Sequence, residues 1–346
     1  MSLYVYTTEQ SNKWDEIVRS FKSHDVYYLS GYVKAFQVHG DGQPLLFYYE
    51  GKDIRGINVV MQRDIAEDTY FGDKISRGTF FDFITPYGYG GWLIEGEGNK
   101  EPLFEEYEQW CRTHNVVSEF VRYHPVLNNA EMSKPFYDVI ALGKTIAMDL
   151  SSPDIIFQNL TSQNRNKFRK AQKSGINIYR GHYPEIYKIF KEIYNQTMDS
   201  DHAKAYYYFG DEFYESIIND LSDEAQIFWA ELDGKIIAAS IMIAANGYMN
   251  YHLSGSLREY QNLAPTNLLI YKAAIWGSLN GYKSLHLGGG VGSKEDSLYL
   301  FKSGFNRNDT KQFSIGKKIY LNDVYDDLVS MKNCDVAVNY FPQYRA

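Results

Sequence analysis

The sequence predicts an α/β (α+β) fold in two tandem units, each a mixed sheet flanked by helices, and three observations predict it. First, 346 residues exceed what one ordinary core organises, so two domains are expected. Second, one hairpin pattern occurs twice. Residues 45–60 hold two apolar runs joined at Glu50-Gly51-Lys52, and residues 227–242 hold two joined at Asp233-Gly234-Lys235. A short Gly-containing reversal between β-rich runs is a hairpin signal, since positive φ is needed there. The two Gly-Lys pairs lie 183 positions apart (51 and 234), and at that offset Ile54, Gly56 and Val59 correspond to Ile237, Ala239 and Met242. Third, helix-period segments precede the hairpin in both halves.

The helical segments expected from apolar spacing are 14–21, 31–38, 100–114, 153–173, 184–198, 212–221, 265–280 and 321–331. Pro265 sets the start of the seventh, where Leu268, Leu269, Ala273, Trp276 and Leu279 form a stripe and Gly281 marks the end. Ser151-Ser152-Pro153-Asp154 reads as an N-cap, a proline at the first helical position and an early acid. The boundary is therefore placed near 149–152, giving an N-terminal domain of 1–150 and a C-terminal domain of 151–346. Residues 248–254 and 284–287 are strand-like, the latter running into the glycines of Ser284-Leu-His-Leu-Gly-Gly-Gly290.

Composition narrows the function classes. Apolar residues make up 44% and charged residues 23%, which describes a globular chain that buries sizeable cores. The 31 tyrosines and 20 phenylalanines suit aromatic sheet faces, or a groove that stacks a sugar or nucleotide. A formal charge of −8 argues against a broad nucleic-acid footprint, because such binding rests on phosphate neutralisation. Cys111 and Cys334 have no metal spacing, and no HExxH pattern or Cys/His cluster exists, so no metal and no resident cofactor are expected. With no apolar leader and no apolar run approaching 18 residues, a cytoplasmic location is expected. Gly288-Gly-Gly-Val-Gly292 satisfies neither the P-loop nor the GxGxxG spacing, and no GxSxG elbow is present.

Two groups of cations carry possible chemistry. Lys302 stands alone in the apolar run Tyr299-Leu-Phe-Lys-Ser-Gly-Phe305, beyond the glycine loop, where a fixed ammonium would stabilise developing negative charge. As a lysine near a helix C-terminus it equally complements the dipole. Arg165, Lys167, Arg169, Lys170 and Lys173 fall within nine residues without an acid, and Arg165, Arg169 and Lys173 share a stripe. That is either a solvated face or a cradle for a phosphate-bearing ligand. His252 and His286 lie on the two strand-like runs, as general bases or substrate contacts, or as satisfied core histidines.

The second half reads helix, helix, hairpin, strand, helix, strand, helix, an order that resembles the GNAT acyltransferase fold. Four segments resemble more specifically the FemAB-type branch, which carries two GNAT-like domains in one chain. They are Thr85-Pro-Tyr-Gly-Tyr-Gly-Gly91, Asn164-Arg-Asn-Lys-Phe-Arg-Lys-Ala-Gln-Lys-Ser-Gly175, Tyr208-Phe-Gly-Asp-Glu-Phe213, and Leu287-Gly-Gly-Gly290 with Phe301-Lys-Ser-Gly-Phe305. The resemblance implies a transferase moving an aminoacyl group from tRNA to an amine, with peptidoglycan or cell-envelope precursors as acceptors and the C-terminal domain catalytic. It implies that Lys302 and Phe301 support catalysis, the lysine facing the oxyanion and the phenylalanine shielding it. Two departures bear on substrates. GNAT enzymes grip acetyl-CoA with a glycine-rich loop where this chain has Arg258-Glu-Tyr-Gln-Asn-Leu-Ala264, and their general-acid tyrosine is replaced by Leu300. Peptidoglycan-acting relatives carry Ser-Pro-Arg-Gly-Pro where this chain has Thr85-Pro-Tyr-Gly-Tyr89. An acyl-CoA-dependent N-acyltransferase acting on a sugar amine or small amine, and a ligand-binding protein on the same fold, are the alternatives.

Overall fold

The first unit is not continuous in sequence. In the computed structural model, which describes residues 2–332 and 340–346, one unit comprises Met1–Leu142 with Phe313–Ala346 and the other Gly143–Gln312. The boundary expected at 149–152 thus falls at 142/143, and the chain from Phe313 onward returns to the first unit rather than finishing the second. No local periodicity encodes that return, because its partners lie some two hundred residues upstream.

The first unit has strands β1 (Ser2–Tyr6), β2 (Gln43–Glu50), β3 (Ile54–Asp64), β4 (Phe81–Ile84), β5 (Leu93–Gly96) and β6 (Val116–Arg122). The returning strand β13 (Lys311–Ile319) joins them. The order is β1-β2-β3-β4-β6-β13, with β5 also on β3. Pairing is antiparallel except β4 on β6, and Ile315 opposes Arg122 in the last pair. Helices α1 (Ser11–Ser20), α2 (Ser30–His39), α3 (Glu101–Thr113), α4 (Ala130–Ser133) and α11 (Asn322–Lys332) complete the unit. Buried polar bonds hold the return. Tyr320 donates to Glu119 at 2.5 Å, Ser118 and Tyr344 hydroxyls share a 2.7 Å bond, and Arg345 Nε lies 2.9 Å from Asp82. Arg63 grips the other oxygen of that fully buried Asp82 at 2.7 Å. Two guanidiniums satisfy a charge that would otherwise be very costly to bury.

The second unit begins within β7 (Asp138–Asp149) and contains β8 (Asn177–Gly181), β9 (Ala225–Leu232), β10 (Lys235–Ala245), β11 (Tyr248–Ser256) and β12 (Ser284–Gly288). The order β7-β12-β11-β10-β9-β8 is antiparallel except for β11 on β12. The hairpin turn uses Asp233 (φ 50°) and Gly234 (φ 78°), the conformation its sequence anticipates. The helices are α5 (Pro153–Asn159), α6 (Ser162–Lys173), α7 (Pro184–Ser200), α8 (Asp211–Asp220), α9 (Pro265–Leu279) and α10 (Ser297–Ser303). The single helix expected over 153–173 is two: Leu160 turns extended and Thr161 caps a new helix by accepting from the Asn164 N–H at 3.3 Å. The core packs Leu268, Leu269, Ile270, Ala273 and Ala274 of α9 on Ala238, Met242 and Ala244 of β10. Leu279, expected in that stripe, is 72% exposed. Gly277 lets α9 approach the sheet, since a methyl carbon there would run into Met249 Sδ.

Candidate active site

The parallel pair β11–β12 is short. Tyr248, Met249 and Asn250 oppose Ser284, Leu285 and His286, after which β11 continues on β10 alone and the two strands part. The parting coincides with a bulge: Ile241 opposes Leu253 while Met242 opposes Tyr251, so His252 is the extra residue of β11. At the C-terminal end of β12 the chain makes the three-glycine turn. Gly288 takes φ 77°. A methyl carbon on Gly289 would sit 2.8 Å from the Lys144 carbonyl oxygen, and one on Gly290 would collide with the Lys294 carbonyl and the Asp296 carboxylate. Each glycine is therefore required by close backbone approach or by its torsion, and together they aim the Gly289 carbonyl inward.

That carbonyl meets Lys302. In α10 the inward residues are Tyr299 and Lys302, one turn apart, while Leu298 and Leu300 are exposed. Lys302 is only 9% exposed, and its Nζ donates to Gly289 O at 2.7 Å. Among the described residues no carboxylate lies within ion-pair distance of it. Burial drives its pKa down from the usual 10.5 to about 8, and the Asp296 charge pulls it partly back. Phe301 is half-buried, packs on the core and sits edge-on to Phe305 with ring centres 5.5 Å apart. An ammonium with one weak partner in a dry site retains hydrogen-bonding capacity and is strengthened electrostatically by its surroundings.

The helix α10 ends against the first turns of α6 and α9. Thr161 N–H donates to Gly304 O at 3.0 Å, and Asn267 Nδ2 donates to Asn164 Oδ1 at 2.8 Å. Asn164 Nδ2 is buried beside Gly304 and has no hydrogen-bond partner among the described residues. Gly304 is glycine for that contact, since a methyl carbon there would lie 2.9 Å from the amide nitrogen. The sequence singled out neither asparagine for a role: Asn164 opens the basic segment and lies in a continuous polar run, and Asn267 follows Thr266, so both read as ordinary polar residues at a helix start.

The structure separates the basic group. Arg165 turns back to its own helix junction, donating to Leu160 O at 2.7 Å and to Ser162 Oγ at 3.0 Å, with its guanidinium over the Phe157 ring. Lys170 donates to Asn262 O at 2.7 Å. Arg169 and Lys173 are exposed and Lys167 is half-exposed, while Asn164, Phe168 and Ala171 form the inner face. His286 is buried with Nε2 2.9 Å from Thr145 Oγ1. Burial pushes the His252 pKa to about 3, so at neutral pH it is an uncharged imidazole and a poor base. The segment in place of the glycine-rich loop is a 3-10 turn, Arg258–Leu263, ending on Ala264 in the left-handed region at φ 58°. Among the described residues no group of three or more His, Cys, Asp or Glu is placed to hold a metal ion, and no helix is long and apolar enough to cross a membrane.

Residues 161–302 match the family model described as an acetyltransferase (GNAT) domain. That segment runs from the α6 cap to Lys302, so the chain carries a GNAT-type acyltransferase domain with the lysine at its limit. The chain is similar in fold to the crystal structure of FemX, at 13% identity and a TM-score of 0.70, over 94% of this chain and 99% of that one. It is also similar to the C-terminal domain of a putative lysylphosphatidylglycerol synthetase from Agrobacterium fabrum, with 12% identity, a TM-score of 0.57 and 93% and 96% coverage. L-PGS from Bacillus licheniformis gives 13%, 0.55, and 89% and 91% coverage. Sequence comparison with curated proteins gives no match.

Proposed function

We infer that this acyltransferase moves an aminoacyl group from tRNA to an amine on a cell-envelope or peptidoglycan precursor. The observation that carries the reading is the buried Lys302, held by a backbone carbonyl instead of a carboxylate. When an amine nitrogen attacks an ester carbonyl, a C–N bond forms and the carbonyl oxygen takes the negative charge. The C–O bond to the ribose then breaks, and the proton shed by the amine ends on the departing hydroxyl. A Lys302 N–H directed at that oxygen stabilises the charge at the moment it appears, by about 3 kcal/mol for one well-placed donor. Phe301 and Phe305 beside it keep the region apolar, which strengthens the effect.

Two features support tRNA over acyl-CoA. The 258–264 segment lacks the glycines that let a backbone wrap a pyrophosphate, and the Asn262 carbonyl in it already accepts from Lys170. Lys167, Arg169 and Lys173 are accessible cations with no acid paired to them among the described residues, suited to a phosphate chain. The resemblance to FemAB-type enzymes and the FemX-like fold support the choice of acceptor. The second reading, an acyl-CoA donor, is favoured by the acetyltransferase family match. Transfer assays with radiolabelled aminoacyl-tRNA and with labelled acetyl-CoA, each against nucleotide-linked peptidoglycan precursors, separate them. Label moving from tRNA alone supports the proposal; saturable micromolar acetyl-CoA use with no tRNA-dependent transfer overturns it.

A further inference from the structure

The contact between Lys302 and Gly289 joins a loop leaving β12 to a seven-residue helix. A second side chain links the same two segments. Asp296 caps α10 by accepting from the Tyr299 N–H at 2.9 Å through Oδ1, and accepts from the Val291 N–H at 3.0 Å through Oδ2. Gly290 must lack a side chain because this carboxylate occupies the space where its Cβ would stand. The loop is thus fastened to the start of α10 on either side of the turn containing Gly292, whose φ is 60°. A helix this short has little stability of its own, so its cap governs where Lys302, six residues on, points.

We propose that Asp296 is the positioning residue of this site, its carboxylate fixing the glycine loop against α10 and so setting the contact between Lys302 Nζ and the Gly289 carbonyl. The proposal rests on the reading of Lys302 as the oxyanion donor. Asp296 also acts through charge. Its own pKa is held below the usual carboxylate range by the Tyr299 and Val291 N–H groups, so it is ionised at neutral pH, and it is the one charge that counters the effect of burial on Lys302. The other titratable or charged groups on adjoining segments are His286 on β12, Lys144 on β7, Lys294 and Glu295 in the loop, Tyr299 on α10 and Arg165 on α6. None of these contributes to the Lys302 shift. Removing a nearby negative charge disfavours the ammonium, so without Asp296 the lysine loses its proton at lower pH.

The test is the titration of Lys302 in the full chain, followed by NMR of 13C-labelled lysine Cε groups, with Lys302→Arg assigning the resonance. Asp296→Asn removes the charge. Asp296→Ser removes the charge and the reach to Val291 while keeping a helix cap, which guards against a variant that simply melts α10. Both should move the Lys302 midpoint down by about half a pH unit or more. Aminoacyl transfer by both should then fail at a pH lower by the same interval, with part of the rate at neutral pH recovered by working more acid. A Lys302 midpoint unchanged in both variants, with folded spectra, overturns the positioning role while leaving the lysine itself untouched. A midpoint that moves while Lys302→Arg and Lys302→Ala transfer at the parent rate upholds the link and sinks the oxyanion reading instead.

Discussion

Replacing Lys302 with methionine should stabilise the second unit at pH 7 while destroying transfer. The magnitude follows from burial. The lysine sits at about 8 instead of 10.5, and 10.5 less 8 at about 1.4 kcal/mol per pH unit puts the cost of keeping it charged on the order of 3 kcal/mol. Methionine leaves the Gly289 carbonyl without its donor, which returns about 1 kcal/mol. A net gain of about 2 kcal/mol in a unit of this size raises its melting temperature by about 4–8 °C. The sign also fixes a pH window. The folded value lies below the unfolded one, so between pH 8 and 10.5 the unfolded chain holds more protons and the parent gains stability as pH rises. The advantage of the variant is therefore full below pH 8, shrinks above it, is gone at about pH 9.5 and reverses toward 10.5, where only the lost Gly289 hydrogen bond remains. Scanning calorimetry at pH 7 and pH 9.5 reads both effects. A methionine variant less stable than its parent at pH 7, or an advantage undiminished at pH 9.5, would refute the reasoning.

On the proposal that the ammonium is the active form, transfer by the parent should decline as pH climbs through about 8; a rate still rising at pH 9 assigns Lys302 another role. Gly289→Ala drives a methyl carbon to 2.8 Å from the Lys144 carbonyl, and should lower turnover at least tenfold with a stability loss of about 1–3 kcal/mol by chemical denaturation. Replacing Lys167, Arg169 and Lys173 together with alanine should flatten the salt dependence of tRNA binding by about two log–log units, whereas Arg165→Ala should cost stability, about 1–2 kcal/mol, through its lost bonds to Leu160 and Ser162. Arg345→Ala leaves buried Asp82 with one guanidinium and should destabilise the fold by about 3 kcal/mol, read by chemical denaturation. Burial pushes Asp82 up, but Arg63 and Arg345 hold its carboxyl below the usual range, so their contribution is lost only in strong acid.

What the sequence made legible was local. The second hairpin declared itself because Asp233-Gly234 supplies the positive-φ torsions of a tight reversal; Gly51 in the first is not in that region and is instead glycine for its close approach to Tyr49 and Ile54. α9 declared itself because Pro265 and Gly281 bracket it. The paired-unit architecture and the acyltransferase class followed from element order. Lys302 stood out as a charge inside an apolar run, and the structure buries it against the Gly289 carbonyl. The break at Thr161 was hidden because Leu160 fits a helical stripe as well as it fits a strand-like corner. The inward turn of Tyr299 and Lys302 was hidden because a seven-residue helix has too few residues to show a period. The role of the three glycines depends on Lys144, Lys294 and Asp296, which approach them only through tertiary structure. The basic stripe looked uniform, yet Arg165 is a brace for a helix junction, a distinction set by carbonyls that no spacing rule reveals.

The chain leaves the first unit at Leu142 and re-enters it at Phe313, and within the second unit the two ends are stitched together, Gln312 Nε2 donating to Gly143 O at 3.1 Å and Thr145 Oγ1 to Lys311 O at 3.4 Å. The acyltransferase domain is thus a single uninterrupted segment whose entry and exit share one doorway. During synthesis it can mature while its host still waits for β13, Tyr320 and Arg345 to emerge. The host is obliged to finish last, so an error in the final residues should spare the catalytic fold and leave the N-terminal half unsealed.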